Sequence, residues 1–549
     1  MTEFYQLSSF TVIGLLAAFY IGTFLITLLI AKKEESTEGY IVSNHNVGFG
    51  ISAASMTATW IWAASFYGAA TSAYKYGLSG AMHYGFWGAL MILFIYPFGM
   101  RIRQIAPNAR TLAEIIHARH GTSSQMMLAV SNLLGSLISL MVNFTAAGAL
   151  VSILSPLSFE VGIIMAGFGT LLYTLWSGFR ASILTDMIQV LGMIAIAIIV
   201  IPTIYFAAGG ETAMLKGLEQ ATAEQANFWS TKAILEQGAP FFIAVLAYAI
   251  GNQTIAQRLF AVRQDLIKPT FITATLGYAA VVIGLGMLGM FALLLGMQPA
   301  DGDMNSLIPL VASKYLSPVM IGLLFLLVIG SLSSTADSDL SALASITMAD
   351  VYAKHFAKSG LDLKKMLLVG RVTMIGSAVL GMVLATQQAD ILTLLVLVGA
   401  MWGAVVFPVI ASFYWGKVTN KAFSWSVSVT VVLFFYIRYL EGDFGILTLP
   451  LELIAAVGAG VVIGLMVFAF LGEKIGSIAG LITMVIGFVY FPGWIGTYST
   501  LVASLMSYGV SATICIAMSI GNKNPFDIST LESKVKKLAD EAKEGETKC

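Results

Sequence analysis

Long apolar runs, interrupted at intervals by short polar or charged segments, dominate the chain from Ser9 to Ile520. Fifteen such runs can be read, over residues 9–31, 48–74, 80–100, 125–153, 159–177, 183–206, 239–257, 269–297, 317–346, 366–387, 390–415, 423–440, 452–472, 476–495 and 498–520. About 20 residues of helix cross a hydrocarbon core of about 30 Å, so each run is roughly one membrane span long. Recurrence on this scale cannot come from a single soluble core. The pattern predicts an all-α polytopic membrane protein of about 15 transmembrane helices. Composition agrees: the chain is 58% hydrophobic and 11% charged, whereas ordinary soluble domains are about 25% charged.

Charge placement orients the spans, because cytoplasmic loops are enriched in Lys and Arg. With the N-terminus outside and the C-terminus inside, all of the 29 Lys and Arg fall inside except Lys75, Lys216, Lys232, Lys314 and Arg438. The segment from Gly209 to Gly238 is then external, carries Glu211, Glu219, Glu224 and Glu236, and is expected to form a short helix over an entrance. The tail from Gly521 is internal. No basic n-region precedes the first run, which carries Glu3 upstream and ends in Lys32-Lys33, so that run is expected to remain as a span.

Several function classes are disfavoured. A net charge of zero argues against nucleic-acid partners. The absence of a Walker-type glycine loop argues against ATP. Two cysteines, Cys515 and Cys549, cannot build a disulfide framework or a metal cluster. The histidines have no zinc-ligand spacing and no hydrolase constellation occurs, so an enzyme is not expected.

Polar or irregular stretches inside membrane helices are costly and mark helices that line a cavity. The run 48–74 packs small and hydroxyl residues around Trp60-x-Trp62. A break near Ala53 to Met56 would free carbonyl oxygens for a cation, with Trp60 and Trp62 as walls. The alternative is a tightly packed helix with two aromatic anchors. Tyr248-Ala249-Ile250-Gly251-Asn252-Gln253-Thr254 interrupts the run 239–257, five spans later, the spacing of an internal five-helix repeat with the solute held between halves. In the run 317–346, positions 330, 333, 334, 337, 341 and 344 share a helix face and read Gly, Ser, Ser, Asp, Ser, Ala, a stripe of hard oxygen ligands. Asp337 on that stripe and Asp186 near the start of the run 183–206 are the two candidate intramembrane acids. For Asp186 the alternative is an acid stabilised by a helix N-terminus; for Asp337 it is a hydrogen-bonded packing residue. Asp350, Arg258 and Arg263 read as span-end charges.

Three segments resemble the sodium/solute symporter family and, within it, the urea-transporter branch: Trp60-x-Trp62-Ala63-Ala64 with Tyr76-Gly77-Leu78-Ser79-Gly80, the loop from Ala106 to Thr122, and Ser334-Thr335-Ala336 leading to Ala349-Asp350-Val351-Tyr352. Asn252-Gln253-x-x-x-Gln257-Arg258 and Thr185-Asp186-x-x-Gln189 are similar to broader family features. The resemblance implies a LeuT-like core of five plus five inverted helices, with repeats at 48–206 and 239–415. The remaining parts are a first span and loop at 1–47, an external loop at 207–238, extra helices at 416–520 and a cytoplasmic tail at 521–549.

The same resemblance implies a Na+ site formed by the carbonyls of Ala53, Met56 and Gly330 and the hydroxyls of Ser333 and Ser334. It also implies a candidate second cation site at Asp186, to which Asp337 could add; a solute pocket is expected near Trp60, Trp62, Tyr248 and Asn252. Ser55 stands where proline transporters of the family carry an acid. Asp337 stands where many members have a small or hydroxyl residue, and could serve a second cation, a proton or a cationic solute. The implied function is sodium-coupled symport of a small polar solute, urea or a small amine or polyamine, by alternating access in the cell membrane, as a monomer or weak homo-oligomer. The rivals are proton coupling, an amino acid such as proline or a sugar as solute, and a solute-sensing receptor.

Overall fold

The computed structural model describes residues 5–30, 36–356, 362–388, 391–439 and 444–535. Glu3, Lys32, Lys33, Cys549 and the tail beyond 535 lie outside them. Apart from an isolated bridge between Val47 and Val262, the described residues form helices and connections only. In a bilayer core no water is available to the backbone, so a spanning segment must satisfy its own N–H and C=O groups, which a helix does.

The helices are α1 (Ser9–Ile30), α2 (Phe49–Trp60), α3 (Ala69–Ile105), α4 (Leu112–His120), α5 (Thr122–Leu154), α6 (Phe159–Ser177) and α7 (Phe179–Ala207). They continue with α8 (Ala239–Gly251), α9 (Gln253–Ala261), α10 (Ile267–Leu294), α11 (Pro318–Ile346), α12 (Leu363–Ala385) and α13 (Ile391–Tyr414). The last four are α14 (Asn420–Tyr439), α15 (Thr448–Leu471), α16 (Glu473–Tyr490) and α17 (Ser499–Ile520). The runs read from the sequence fall on these helices, 48–74 and 239–257 each crossing a break between two of them, and 13 helical stretches among the described residues are long and apolar enough to cross a membrane.

The turn expected between the second and third runs is present inside α3. At Gly77 the backbone takes φ +64° and ψ −138°, which an L side chain rarely adopts, and the helix doubles back. The two arms touch at once: a Cβ on Gly80 would lie 2.0 Å from the Ser72 carbonyl oxygen. α10 packs along α3 equally closely, since a Cβ on Gly289 would lie 1.9 Å from the carbonyl oxygen of Ala70.

α11 sits at the centre, packed against α5, α6, α7, α12 and α2. From Ile321 onward most of its side chains are buried, including Asp337 and Asp339. The periphery is apolar and uncovered. On α12, Leu368, Val372, Ile375, Val379 and Val383 recur at helical spacing and are all exposed, an apolar stripe that suits lipid rather than water.

The segment 209–238 forms the expected helix, Gly210–Gln220, and a short turn of helix, Ala223–Ala226. It folds down onto the end of the bundle: Gln225 donates to the Lys75 carbonyl at 3.3 Å, Tyr76 donates to Glu236 at 3.0 Å, and the Gln225 carbonyl faces Gly77.

One expectation is corrected. Residues 53–56 are not broken; α2 runs through them to Trp60, and the chain opens instead at Ile61 and Trp62 before a wide π turn at 64–68. Small residues alone do not open a helix, because Thr57 and Thr59 turn their hydroxyls back onto the carbonyls of Ala53 and Ser55 at 2.8 and 2.9 Å.

Candidate functional site

Two helices are interrupted in mid-bundle, and polar side chains hold both interruptions open. At the first, Ser331 donates to the Ile61 carbonyl, Thr335 to the Thr59 carbonyl at 3.3 Å and Ser65 to the Trp60 carbonyl at 2.8 Å, while the Ala63 N–H donates to the Asn143 amide oxygen at 3.2 Å. These are the backbone groups a break would otherwise leave unsatisfied in a dry interior. At the second, Asn252 separates α8 from α9 with extended backbone, and its amide oxygen accepts from the Thr254 N–H and hydroxyl at 2.7 and 2.8 Å. That side chain is a helix N-cap buried inside the bundle.

The aromatic walls meet at these breaks. Trp60 and Tyr248 cross edge to face at 5.2 Å between centroids, Trp62 stacks on Tyr248 at 5.7 Å, and Trp402 approaches Tyr248 at 4.8 Å. Sequence reasoning missed Trp402; a lone tryptophan in the apolar run 390–415 carries no local signal. The Nε1 atoms of Trp60 and Trp402, the Tyr248 hydroxyl and the Asn252 Nδ2 atom are all buried without a hydrogen-bond partner.

Below the aromatic group lies an ionic cluster. Arg258 on α9 places Nη2 2.8 Å from Oδ2 of Asp186 and 2.6 Å from the Ser338 hydroxyl, and Nε 2.9 Å from the Ser55 hydroxyl. Ser55 and Ser334 in turn donate to the two oxygens of Asp186 at 2.6 and 2.5 Å. Asp186 therefore links α2 to α11. Asp337 accepts from Ser182 at 2.5 Å, Tyr173 at 2.7 Å, Ser338 at 3.2 Å and Thr185 at 3.4 Å. Both acids and the arginine are buried, with the carboxylates at 0% and Arg258 at 3% exposure. Arg258 is thus no span-end charge at an interface, and Asp186 lies beyond the first turn of α7 with an arginine partner. Asp350 is likewise buried, taking hydrogen bonds from Thr111 at 3.0 Å and from Gln125 at 3.3 Å. Arg263 does fit the span-end reading: it is exposed and pairs with Asp265 at 2.6 Å.

The remaining candidate ligands are spread over different neighbours. The Ser333 hydroxyl pairs with Tyr20 of α1 at 2.9 Å, whereas the adjacent Ser334 turns to Asp186. Gly330 lines a cleft of about 320 Å³ between α1, α7 and α11, beside Phe19, Thr23, Thr185 and Gln189. Ala53 and Met56 are buried on α2. The structure brings Asp186, Ser334 and Asp337 into one cluster; Ser333 points away from it.

The loop from Ala106 to Thr122 gains a physical role. Thr111 caps α4 by accepting from the Glu114 N–H at 3.0 Å, and Glu114 reaches back to the Arg110 N–H at 3.0 Å and its guanidinium at 2.6 Å. Burial would raise the Glu114 carboxyl, but Arg110 and Lys354 outweigh it and hold it at about 2. Gln253 binds both sides of this turn, accepting from Leu112 N–H at 3.3 Å and donating to the Arg110 carbonyl at 3.2 Å. The residue after the second break therefore clasps the loop.

A bundle of membrane helices with two of them opened inside the bundle around buried acids, an arginine and an aromatic wall is the architecture on which secondary transporters are built. The chain belongs to the sodium:solute symporter family, whose sequence profile matches residues 40–429. It is 24% identical to a probable urea active transporter 1 of Schizosaccharomyces pombe over 73% of this chain and 64% of that one. It is 22% identical to the urea-proton symporter DUR3 of Oryza sativa subsp. japonica over 70% of this chain and 58% of that one. The chain thus spans less than two thirds of the length of these two relatives. A sodium/pantothenate symporter of Escherichia coli is 24% identical over 74% of this chain and 86% of its own length. Among solved structures, a Na+-coupled sialic acid symporter in a substrate-bound outward-open state superposes with a TM-score of 0.65 at 17% identity, covering 87% of this chain and 98% of that one. The two share the fold, a LeuT-like core of membrane helices, and the chain is a multi-pass membrane protein of a symporter family.

Proposed function

We propose that this protein is a sodium-coupled symporter that carries urea or a closely similar small polar solute by alternating access. The observation that carries cation coupling is an excess of buried carboxyl groups over basic partners. Asp186, Asp337 and Asp339 are all 0% exposed inside membrane-crossing helices, and the cation that all three feel is the same Arg258. One guanidinium cannot neutralise three carboxylates, and uncompensated charge in such a medium is strongly disfavoured, so the cluster attracts cations or protons. By family resemblance, sodium is assigned to the carbonyls of Ala53, Met56 and Gly330 with the hydroxyls of Ser333 and Ser334, which here contact different side chains, Tyr20 and Asp186. Its binding would steady α2 beside the break at Ile61 and so lower the ordering cost of binding solute.

Four unpartnered donors, on Trp60, Trp402, Tyr248 and Asn252, gather near the two breaks. A set rich in donors suits a carbonyl oxygen, which favours urea over a simple amine, and two of the relatives are named as urea transporters. The N-terminus is placed outside, with repeats at 48–206 and 239–415 flanking the external segment 207–238.

The test is uptake into proteoliposomes of urea, a short diamine, proline and glucose, each under an inward sodium gradient and with choline replacing sodium. Urea should accumulate with sodium only. Ser334→Ala should raise the sodium concentration for half-maximal uptake at least tenfold with little loss of folded protein, and an unchanged sodium requirement would count against this site. Proton coupling is the second reading, favoured by the four hydroxyls that surround Asp337 and by the relative named a urea-proton symporter. Sodium-free accumulation driven by an imposed pH gradient would decide for it.

A further inference from the structure

One face of α5 is polar over most of residues 125–143. Gln125, Asn132, Ser136, Ser139 and Asn143 recur at helical spacing on one side of the helix, and each is at most 2% exposed. Polar side chains are costly in a helix that crosses lipid and are retained where a site or a path needs them. The ends of this ladder have partners. Asn143 holds the Ala63 N–H at 3.2 Å and donates to the Ser139 carbonyl at 2.8 Å, while Gln125 donates to the Asp350 carbonyl at 3.0 Å. The middle has none on α5 itself: both amide atoms of Asn132 are buried without a hydrogen bond, and the hydroxyls of Ser136 and Ser139 turn outward to α11.

α11 packs along this face and brings Asp339 beside Ser136 and Ser139. Asp339 is fully buried, and the donors that face its carboxylate are the hydroxyls of Ser136 and Ser139. Two residues earlier, Asp337 lies on another face of the same helix and is held by four hydroxyls. Arg258 is committed to Asp186, Ser338, Ser55 and the Thr254 carbonyl. The acid that stands out in the sequence stripe is therefore surrounded by four hydroxyls, and the one beside it meets two. Two carboxylate oxygens and two hydroxyls, with neither nitrogen nor sulfur among them, form a hard donor set. A single carboxylate matches one positive charge.

We propose that Asp339, with the hydroxyls of Ser136 and Ser139, forms a sodium-binding site separate from the one assigned to Ser333 and Ser334. It lies on a polar path that runs from the break at Ile61 and Trp62 past Asn132 to Gln125 and Asp350. The assignment rests on the reading of the protein as a cation-coupled transporter. It adds a second ion position between α5 and α11, on the far side of α11 from Tyr173.

The experiment is thermal unfolding of the purified full-length protein as sodium chloride replaces choline chloride at constant ionic strength, repeated between pH 5 and pH 8. Asp339→Asn removes the charge at constant shape and Ser136→Ala removes one hydroxyl; Ser334→Ala perturbs the other site. Sodium should raise the unfolding temperature of the wild type. Asp339→Asn should unfold no earlier than the wild type without sodium, yet need at least tenfold more sodium for half of the shift, and Ser136→Ala about threefold more. The pair Asp339→Asn with Ser334→Ala should lose the shift entirely. A sodium titration of Asp339→Asn that matches the wild type overturns the assignment. So does a wild type that ignores sodium but is stabilised by acid in an Asp339-dependent way, which would make the group a proton site. Failure of the wider transport reading shows elsewhere, as absence of cation-driven accumulation by the wild type in proteoliposomes.

Discussion

Nη2 of Arg258 stands 2.8 Å from Oδ2 of Asp186, and the same guanidinium also binds Ser338 and Ser55. One side chain after the second helix break thereby fastens α9 to α2, α7 and α11. Removing either charge alone strands the other in a dry interior, which typically costs about 3–5 kcal/mol. Removing both strands neither.

The first prediction is accordingly a double-mutant cycle. Arg258→Met should lower the unfolding temperature strongly, and adding Asp186→Asn to it should recover a substantial part of that loss. Thermal unfolding in detergent measures all four corners. Strictly additive effects would mean that the two charges do not depend on one another.

The aromatic wall gives a second. Tyr248→Phe keeps the ring that Trp60, Trp62 and Trp402 pack against and deletes only an unpartnered hydroxyl. Stability should hold or rise slightly, since no hydrogen bond is lost. Solute affinity should fall by roughly tenfold if that hydroxyl serves the solute, the value of about 1.4 kcal/mol for one hydrogen bond. Competition uptake at fixed sodium reads the affinity, and an unchanged inhibition constant would remove Tyr248 from the pocket.

A third concerns close packing rather than chemistry. Gly289→Ala would drive a methyl to 1.9 Å from the backbone carbonyl of Ala70, and backbone cannot yield as a side-chain tip can. A loss of about 1–3 kcal/mol is expected from overpacking. Gly376→Ala on α12, with open space around it, serves as the control and should be neutral. Both are scored by unfolding temperature.

Acid sensitivity supplies the fourth. His120, at the end of α4, has Nε2 2.7 Å from the Ser412 hydroxyl, which itself donates to the Pro408 carbonyl, and Nδ1 is buried without a partner. Burial, and then the neighbouring Arg119, push its imidazole down to about 3. The unfolded chain takes up this proton near the ordinary value of about 6.5 while the folded one does not. Its contribution is thus complete above pH 6.5 and is lost progressively as pH falls toward 3. Between pH 7 and pH 5 the wild type should lose about 1–2 kcal/mol that His120→Gln retains. Unfolding temperatures of the two proteins, compared across that interval, provide the check.

How much of this was legible in the chain depends on the kind of signal. Spans are written in residue type, since lipid selects apolar side chains one at a time, and all the runs fall on helices. The Gly77 turn and the Asn252 break were also readable, because glycine and asparagine are the residues that such backbone needs. The first break was misplaced by more than a helical turn. It occurs at bulky Ile61 and Trp62, where nothing local disfavours helix, and is held by Ser331, Thr335 and Asn143 from remote segments. Arg258 was misread for the same reason: its partner Asp186 is 72 positions away. Asp339 escaped because a one-face stripe of polar residues draws attention away from the opposite face. Its environment is set by α5, two hundred residues upstream.

The fastening of segment 209–238 to the Gly77 turn carries a consequence for motion. Gln225 and Glu236 grip Lys75 and Tyr76, the last residues of the arm that follows the first break. Cover and arm are geared together, so a tilt of residues 64–76 must drag the cover along. Trp229, exposed yet seated 5.5 Å from the His83 ring, rides on that same cover. Its emission would then be a native gauge of the broken helix, read from the surface while the ion and solute sites stay out of sight.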